Sequence, residues 1–157
     1  MIKLSKSSIS DAEKKAVLGV LEREYLGMGK EVQQFEEDLR DFFGRPVACV
    51  SSGTAALHLA CQAAGLGSGD EVLVQSLTYI ASFQAISATG ATPVACDIDP
   101  ITLTLNIEDA EKRITSKTKA VVPVHTYGNS CEIDKIVDLC NRQNIVVIED
   151  TAESLGT

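Results

Sequence analysis

The predicted fold is built around one stretch of sequence, Val47-Ala48-Cys49-Val50-Ser51-Ser52-Gly53-Thr54-Ala55-Ala56-Leu57-His58-Leu59-Ala60. Its first four residues are apolar and predict a short buried strand. A small polar turn follows, and the Ala and Leu residues after it favour a helix. The first N–H groups of a helix lack partners within the helix, and the helix dipole adds partial positive charge, so this turn suits a phosphate group. A plain helix cap without a ligand is the alternative.

The composition and charge of the chain indicate its class of protein and disfavour some kinds of partner. The chain has 157 residues, of which 45% are hydrophobic and 23% charged, as expected for one globular domain with a sizeable core. The formal net charge is −8 without a cluster of Lys or Arg, which disfavours nucleic acid and anionic membranes as partners. We find neither a long apolar span nor a signal-peptide pattern, and therefore expect a cytoplasmic protein.

Cysteine and histidine are arranged without any metal-binding spacing. The five cysteines form no C-x-x-C pair, and most of them lie in apolar segments. The two histidines, His58 and His125, lie far apart in the sequence. We therefore predict buried free thiols and no metal site.

Apolar runs alternate with helical patterns along the rest of the chain. The predicted strands are 47–50, 71–75, 92–98, 120–125 and 145–148, and the predicted helices begin near residues 10, 31, 54, 79, 107 and 133. This alternation predicts an α/β fold, a mostly parallel sheet with helices on both faces in three α/β/α layers. The glycines of 65–70 are spaced almost like a dinucleotide-binding motif, but they follow a helix and precede a strand, so we predict a connecting loop.

Polar residues follow several of these strands, at the edge of the sheet where ligands bind. The Gly53-Thr54 turn suits a phosphate, Tyr79 suits an aromatic ring, and the carboxylate of Asp150 suits a ring N–H⁺. Pyridoxal 5'-phosphate (PLP) is a phosphorylated cationic ring of this kind, and a carboxylate on its nitrogen keeps the ring an electron sink. Tyr79 as a core aromatic and Asp150 as a helix cap are the alternatives. For His125 we expect a structural role with its ring hydrogen-bonded.

Several short motifs then occur in a specific order. They are Gly27-Met28-Gly29-Lys30-Glu31-Val32, Ser52-Gly53-Thr54-Ala55-Ala56-Leu57, Gly69-Asp70-Glu71-Val72, Thr78-Tyr79-Ile80-Ala81, Gly90-Ala91-Thr92-Pro93-Val94, Asp97-Ile98-Asp99, Pro123-Val124-His125 and Glu149-Asp150-Thr151-Ala152-Glu153-Ser154-Leu155-Gly156. Together they resemble the N-terminal part of the DegT/StrS family of sugar aminotransferases, which are fold-type I PLP enzymes. The resemblance covers nearly the whole chain.

The resemblance implies an activity, partners and a set of site residues. The activity is transfer of an amino group, usually from glutamate, to a keto group of a nucleotide-linked sugar, for surface polysaccharides, glycans or antibiotics. The implied assembly is a homodimer. By their positions in the family motifs, the cofactor-binding residues are Gly53, Thr54 and Ala55 at the phosphate, Tyr79 on the ring face, Asp150 at the pyridine nitrogen, and Glu153, which stands where the family often has Gln or His.

The family's Schiff-base lysine lies further along the chain, so we expect it beyond Thr157 and no catalytic residue within residues 1–157. These residues then form the N-terminal portion of the PLP-binding large domain, without the remainder of that domain or the small C-terminal domain, and we expect them to be inactive alone. Two alternatives stay open: a PLP-dependent sugar dehydratase on the same scaffold, and a non-catalytic module that binds a phosphate-bearing ligand.

Overall fold

A computed structural model describes residues 6–156. The chain divides into two compact units, Met1–Cys49 and Val50–Thr157, and each is described by itself. The described part of the first unit contains helices α1 (Asp11–Glu22) and α2 (Lys30–Phe43). A capping box starts α1, because the Ser10 hydroxyl accepts from the Ala12 amide and the Glu13 carboxylate accepts from the Ser10 amide. Both helices begin within one residue of the predicted positions.

The predicted strand at residues 47–50 is wrong. Residues 46–50 have no regular secondary structure, and Val50 is 40% exposed rather than buried. The Cys49 amide donates to the Glu36 carboxylate at 2.7 Å, so a side chain of α2 takes the hydrogen bond that a neighbouring strand would otherwise supply. An apolar run becomes a strand only where another strand completes its ladder, and no described strand pairs with this run.

The second unit is a parallel sheet with alternating helices. Its elements in chain order are α3 (Gly53–Ala63), β1 (Glu71–Gln75), α4 (Ile80–Ala88), β2 (Thr92–Cys96), α5 (Ile107–Arg113), β3 (Thr118–Val122), a single 3₁₀ turn (Thr126–Gly128), α6 (Ile133–Gln143) and β4 (Val146–Val147). The strand order is β2-β1-β3-β4, and every neighbouring pair is parallel. This confirms the predicted α/β class, although the last three strands are shorter than predicted.

The two central strands, β1 and β3, are covered on both faces. Their successive residues point to opposite sides of the sheet and enter two different apolar clusters. Leu73 and Val121 pack with residues of α5 and α6 in one apolar cluster. Val72, Val74 and Val122 pack in a second cluster with residues of α3 and α4. The consecutive apolar residues of β1 (72–74) and of β3 (120–122) are typical of parallel strands buried on both sides.

Strand β2 lies at one edge of the four described strands and contains Pro93 as its second residue. The Thr92 amide donates to the carbonyl of Asp70, and the Cys96 carbonyl accepts from the Ser76 amide. The backbone N–H and C=O groups of residues 92 and 96 therefore point toward β1, and the backbone of Pro93 points away from it. Proline has no N–H, and within sheets it is found on edge strands.

Two further expectations concern loops and thiols. Residues 65–70 form the connecting loop between α3 and β1, as predicted. All five cysteines are free, and four of them are buried, which agrees with the prediction of buried thiols. Burial raises the pKa of the Cys96 thiol to about 11. Within residues 6–156, no helix has both the length and the apolar character needed to cross a bilayer.

Candidate functional site

A cavity of about 390 Å³ opens at the carboxyl ends of the strands of the second unit. Its walls come from the segments after β1, β3 and β4. The lining residues are Leu77, Thr78, Tyr79, Val124, Thr126, Tyr127, Asp150, Ala152 and Glu153. Two of these carry carboxylates and none is basic, so the cavity suits a cationic group. The predicted residues Tyr79, Asp150 and Glu153 thus lie around one cavity.

Asp150 is the buried acid of this cavity and is only 8% exposed. Its backbone continues the sheet, because its amide donates to the Pro123 carbonyl at 2.9 Å and its carbonyl accepts from the His125 amide at 3.1 Å. Its carboxylate accepts one bond at each oxygen, from the Ser82 hydroxyl at 3.0 Å and from the Ala152 amide at 3.2 Å. The described residues that follow it form turns, so it does not cap a helix there.

No Lys, Arg or His within residues 6–156 forms an ion pair with Asp150. Burying a carboxylate is costly unless an opposite charge or hydrogen bonds compensate. Two hydrogen bonds are present, and the side chain borders an open cavity. The site can therefore accept a cationic N–H donor, and a protonated pyridine nitrogen fits this requirement.

Tyr79 is the exposed aromatic of the cavity wall. It is the N-cap residue of α4, and 79% of it is exposed. The alternative of a core aromatic is therefore wrong, since a tyrosine buried in the core would show little surface. A ring stacked on Tyr79 would cover a large apolar face.

The second acid of the cavity, Glu153, is hydrogen-bonded to the backbone. Its carboxylate accepts from the Tyr127 amide at 2.7 Å. Tyr127 has φ of 56°, a left-handed conformation that is uncommon for a residue other than glycine, and its neighbour Gly128 has φ of 82°. Glu153 thus holds a tight turn in the cavity wall, a contact that its sequence position did not reveal.

The three phosphate candidates, Gly53, Thr54 and Ala55, form the first residues of α3 and are not among the residues that line the cavity. Ser52 caps the helix, because its hydroxyl accepts from the Ala55 amide at 3.2 Å. A side-chain methyl at Gly53 would meet no atom within 4 Å, so this helix start is open to a ligand. Helix α3 packs on α4, whose start carries Tyr79.

Sequence reasoning missed Gln75, the last residue of β1, which is fully buried. Its amide nitrogen donates to the Leu77 carbonyl at 2.9 Å and to the Thr126 hydroxyl at 2.7 Å. Its amide oxygen accepts from the Val124 amide at 3.1 Å. Gln75 therefore joins two walls of the cavity. A long polar side chain directly after the apolar residues 72–74 was the signal available in the sequence.

The ring of His125 is hydrogen-bonded, as expected. It is 5% exposed, and its Nδ1 accepts from the Cys131 amide at 3.0 Å. The proton of the neutral ring therefore lies on Nε2, which is 3.0 Å from the Glu149 carboxylate and donates to it. Among residues 6–156, no group of three or more His, Cys, Asp or Glu side chains could hold a metal ion.

Comparison with known proteins identifies relatives over almost the whole chain. The model of the DegT/DnrJ/EryC1/StrS aminotransferase family matches residues 7–157. The GDP-perosamine synthase of Escherichia coli O157:H7 is 43% identical over 152 residues, which are 96% of this chain and 42% of that protein. The chain therefore spans about two fifths of that relative's length.

Solved structures agree with the family match. The aminotransferase from Psychrobacter cryohalolentis superposes with a TM-score of 0.90 at 37% identity, covering 95% of this chain and 38% of that one. NtdA from Bacillus subtilis, solved with bound cofactor PMP, superposes with a TM-score of 0.86 at 34% identity, covering 94% of this chain and 35% of that one.

Proposed function

Because the chain belongs to the DegT/DnrJ/EryC1/StrS aminotransferase family, we propose that it forms the N-terminal portion of the PLP-binding large domain of a sugar aminotransferase. Aminotransferases of this family use PLP. The observation that carries the proposal is the cavity in which the buried carboxylate of Asp150 lies with the exposed ring of Tyr79. A carboxylate with two donors and no cationic partner in the described chain fits a ring N–H⁺.

PLP would supply an electron sink for breaking bonds at the amino-bearing carbon. The protein's own residues bind and orient it. The Asp150 carboxylate would accept the pyridine N–H⁺ and hold that proton, and Tyr79 would cover one face of the ring. The N-terminus of α3 would receive the phosphate through its first amides and the Thr54 hydroxyl. Glu153 would hold the Tyr127 turn at the edge of the ring.

The proposed reaction moves an amino group, with glutamate as donor, to a keto group of a nucleotide-linked sugar. The name of the perosamine synthase relative, a GDP-sugar enzyme, supports this substrate class. Lys112, Lys117, Lys119 and Lys135 are all exposed and none lines the cavity, which supports a catalytic lysine beyond Thr157. We further propose a homodimer and a cytoplasmic location.

Two alternatives can be separated from this proposal by experiment. In the full-length protein, a PLP-dependent dehydratase would consume the sugar without releasing an aminated product. A non-catalytic module would bind the phosphate but give no borohydride-stable PLP adduct on a lysine. Mass spectrometry of the reduced protein and of the sugar products therefore distinguishes the three functions.

The sharpest test of the site is Asp150→Asn in the full-length protein. The amide keeps the shape of the side chain, so PLP should still bind. It cannot balance the charge of a protonated ring, so catalysis should be slower. The rate of the half-reaction with glutamate should fall on the order of 10²-fold or more. Asp138→Asn, at an exposed position of α6, is the matched control and should leave the rate unchanged. A rate within a few-fold of the parent would show that Asp150 has only a structural role.

A further inference from the structure

Helix α4 carries one buried polar side chain, and it points to the acid of the cavity. The buried residues of α4 are Ala81, Ser82, Ala85 and Ile86, and Ser82 is 1% exposed. Its hydroxyl donates to Oδ2 of Asp150 at 3.0 Å and lies 3.0 Å from the hydroxyl of Thr78. Burying a hydroxyl costs free energy unless it is hydrogen-bonded, and the hydrogen bond to Asp150 compensates this cost for Ser82.

The direction of the hydrogen bonds follows from the number of protons. An ionised carboxylate only accepts, so the single hydroxyl proton of Ser82 goes to Asp150. The Ser82 oxygen must then accept from the Thr78 hydroxyl. The chain runs from Thr78, which lines the cavity, through buried Ser82 to Asp150.

The other oxygen of the same carboxylate is also held. Oδ1 of Asp150 accepts from the Ala152 amide at 3.2 Å. With one donor at each oxygen, rotation of the carboxylate about its last bond would break both contacts. The remaining acceptor positions of the carboxylate therefore keep one orientation before any ligand arrives, which is the preorganisation that strengthens charge-assisted hydrogen bonds.

We propose that Ser82 is a positioning residue that orients the Asp150 carboxylate toward the ring nitrogen of the cofactor. This inference rests on the proposed function, because it needs a ring N–H⁺ at Asp150. Ser82 is not among the residues that line the cavity, so in this proposal it acts through its hydrogen bond to Asp150. Its effect is therefore specific to the ring nitrogen and absent for a ring that lacks one.

The test measures binding rather than turnover. The full-length protein, freed of cofactor, is titrated with pyridoxamine 5'-phosphate and with its 1-deaza analogue, in which C–H replaces the ring nitrogen. The measured quantity is the ratio of the two dissociation constants, the analogue's over that of pyridoxamine 5'-phosphate. In Ser82→Ala this ratio should fall on the order of tenfold. The affinity for the nitrogen-containing ring should decrease, whereas the affinity for the analogue should stay the same.

Three further variants control the result. Ser82→Thr keeps the hydroxyl and should restore most of the ratio, whereas Ser82→Cys offers a weak donor of similar size and should give an intermediate value. Ser87→Ala makes the same change on an exposed position of α4 and should leave the ratio at the parent value.

The outcomes separate the two proposals. If Ser82→Ala weakens both ligands equally, or neither, the positioning role is refuted while the cofactor site stands. If the parent protein does not distinguish the two rings, Asp150 does not meet the ring nitrogen, and this refutes both the assigned role of Asp150 and the inference. If the parent binds neither ligand, the proposed cofactor function itself fails.

Discussion

Replacing Gln75 by Met tests how the cavity walls are held. Methionine has nearly the same length and volume as glutamine, so the change removes hydrogen bonds without opening a cavity. The buried Val124 amide loses its acceptor at 3.1 Å, which costs about 1–3 kcal/mol. The partly buried Leu77 carbonyl loses its donor at 2.9 Å, a further ~1 kcal/mol. The Thr126 hydroxyl keeps a contact with the Val124 carbonyl at 3.4 Å.

The expected loss of unfolding free energy is therefore about 2–4 kcal/mol, the sum of these two contributions. Urea unfolding followed by circular dichroism measures it, with Gln62→Met as the control at an exposed position of α3. Surface changes of this kind fall within about 0.5 kcal/mol. If the two variants differ by less than ~0.5 kcal/mol, the hydrogen bonds of Gln75 contribute nothing, and the argument that they hold the cavity walls is refuted.

Two further predictions concern the helix start and the pH dependence of stability. Thr54→Val should weaken PLP binding by about 1.5–3 kcal/mol, the value of a hydrogen bond to a charged group. Thr92→Val, at an exposed position, is the control. Equal dissociation constants for Thr54→Val and the parent in isothermal titration would contradict a phosphate contact. Because burial raises the pKa of the Cys96 thiol from 9.0 to about 11, the unfolded state loses this proton first, and the free energy of unfolding should fall as the pH rises from 9 to 11. Cys96→Ala should show a shallower decline in urea unfolding over this range, and an equal slope would count against a buried neutral thiol.

Helices and loops could be predicted closely because their signals are local. Ser10 and Ser52 are capping residues directly before helical patterns, and both cap the helices that the structure contains. The strand predicted at 47–50 failed because strand formation depends on a partner elsewhere in the chain. Its four apolar residues are compatible with a strand, but composition does not report whether another strand lies beside them.

The site could be predicted in part for a similar reason. Tyr79 and Asp150 were found because strand ends meet at one edge of a parallel sheet, and they do line one cavity. Ser82 and Gln75 were missed because their partners at the cavity lie far away in the sequence, Asp150 for Ser82 and the 124–126 segment for Gln75. Glu153, which we expected at the cofactor from its position in the family motif, lines the cavity. Its bond to the Tyr127 amide depends on a turn conformation that the sequence does not predict.

The proline on β2 affects how this surface meets other copies of the chain. The outer side of an edge strand presents free N–H and C=O groups on which a foreign strand can grow, the first step toward aggregates. In β2, the backbone groups of positions 93 and 95 point away from β1, and position 93 is a proline without an N–H. An incoming strand would find the Ala95 amide as the only backbone donor along the five residues, too few for a continuous ladder. Pro93 thus protects this edge against unwanted strand addition, and replacing it by Val would remove that protection.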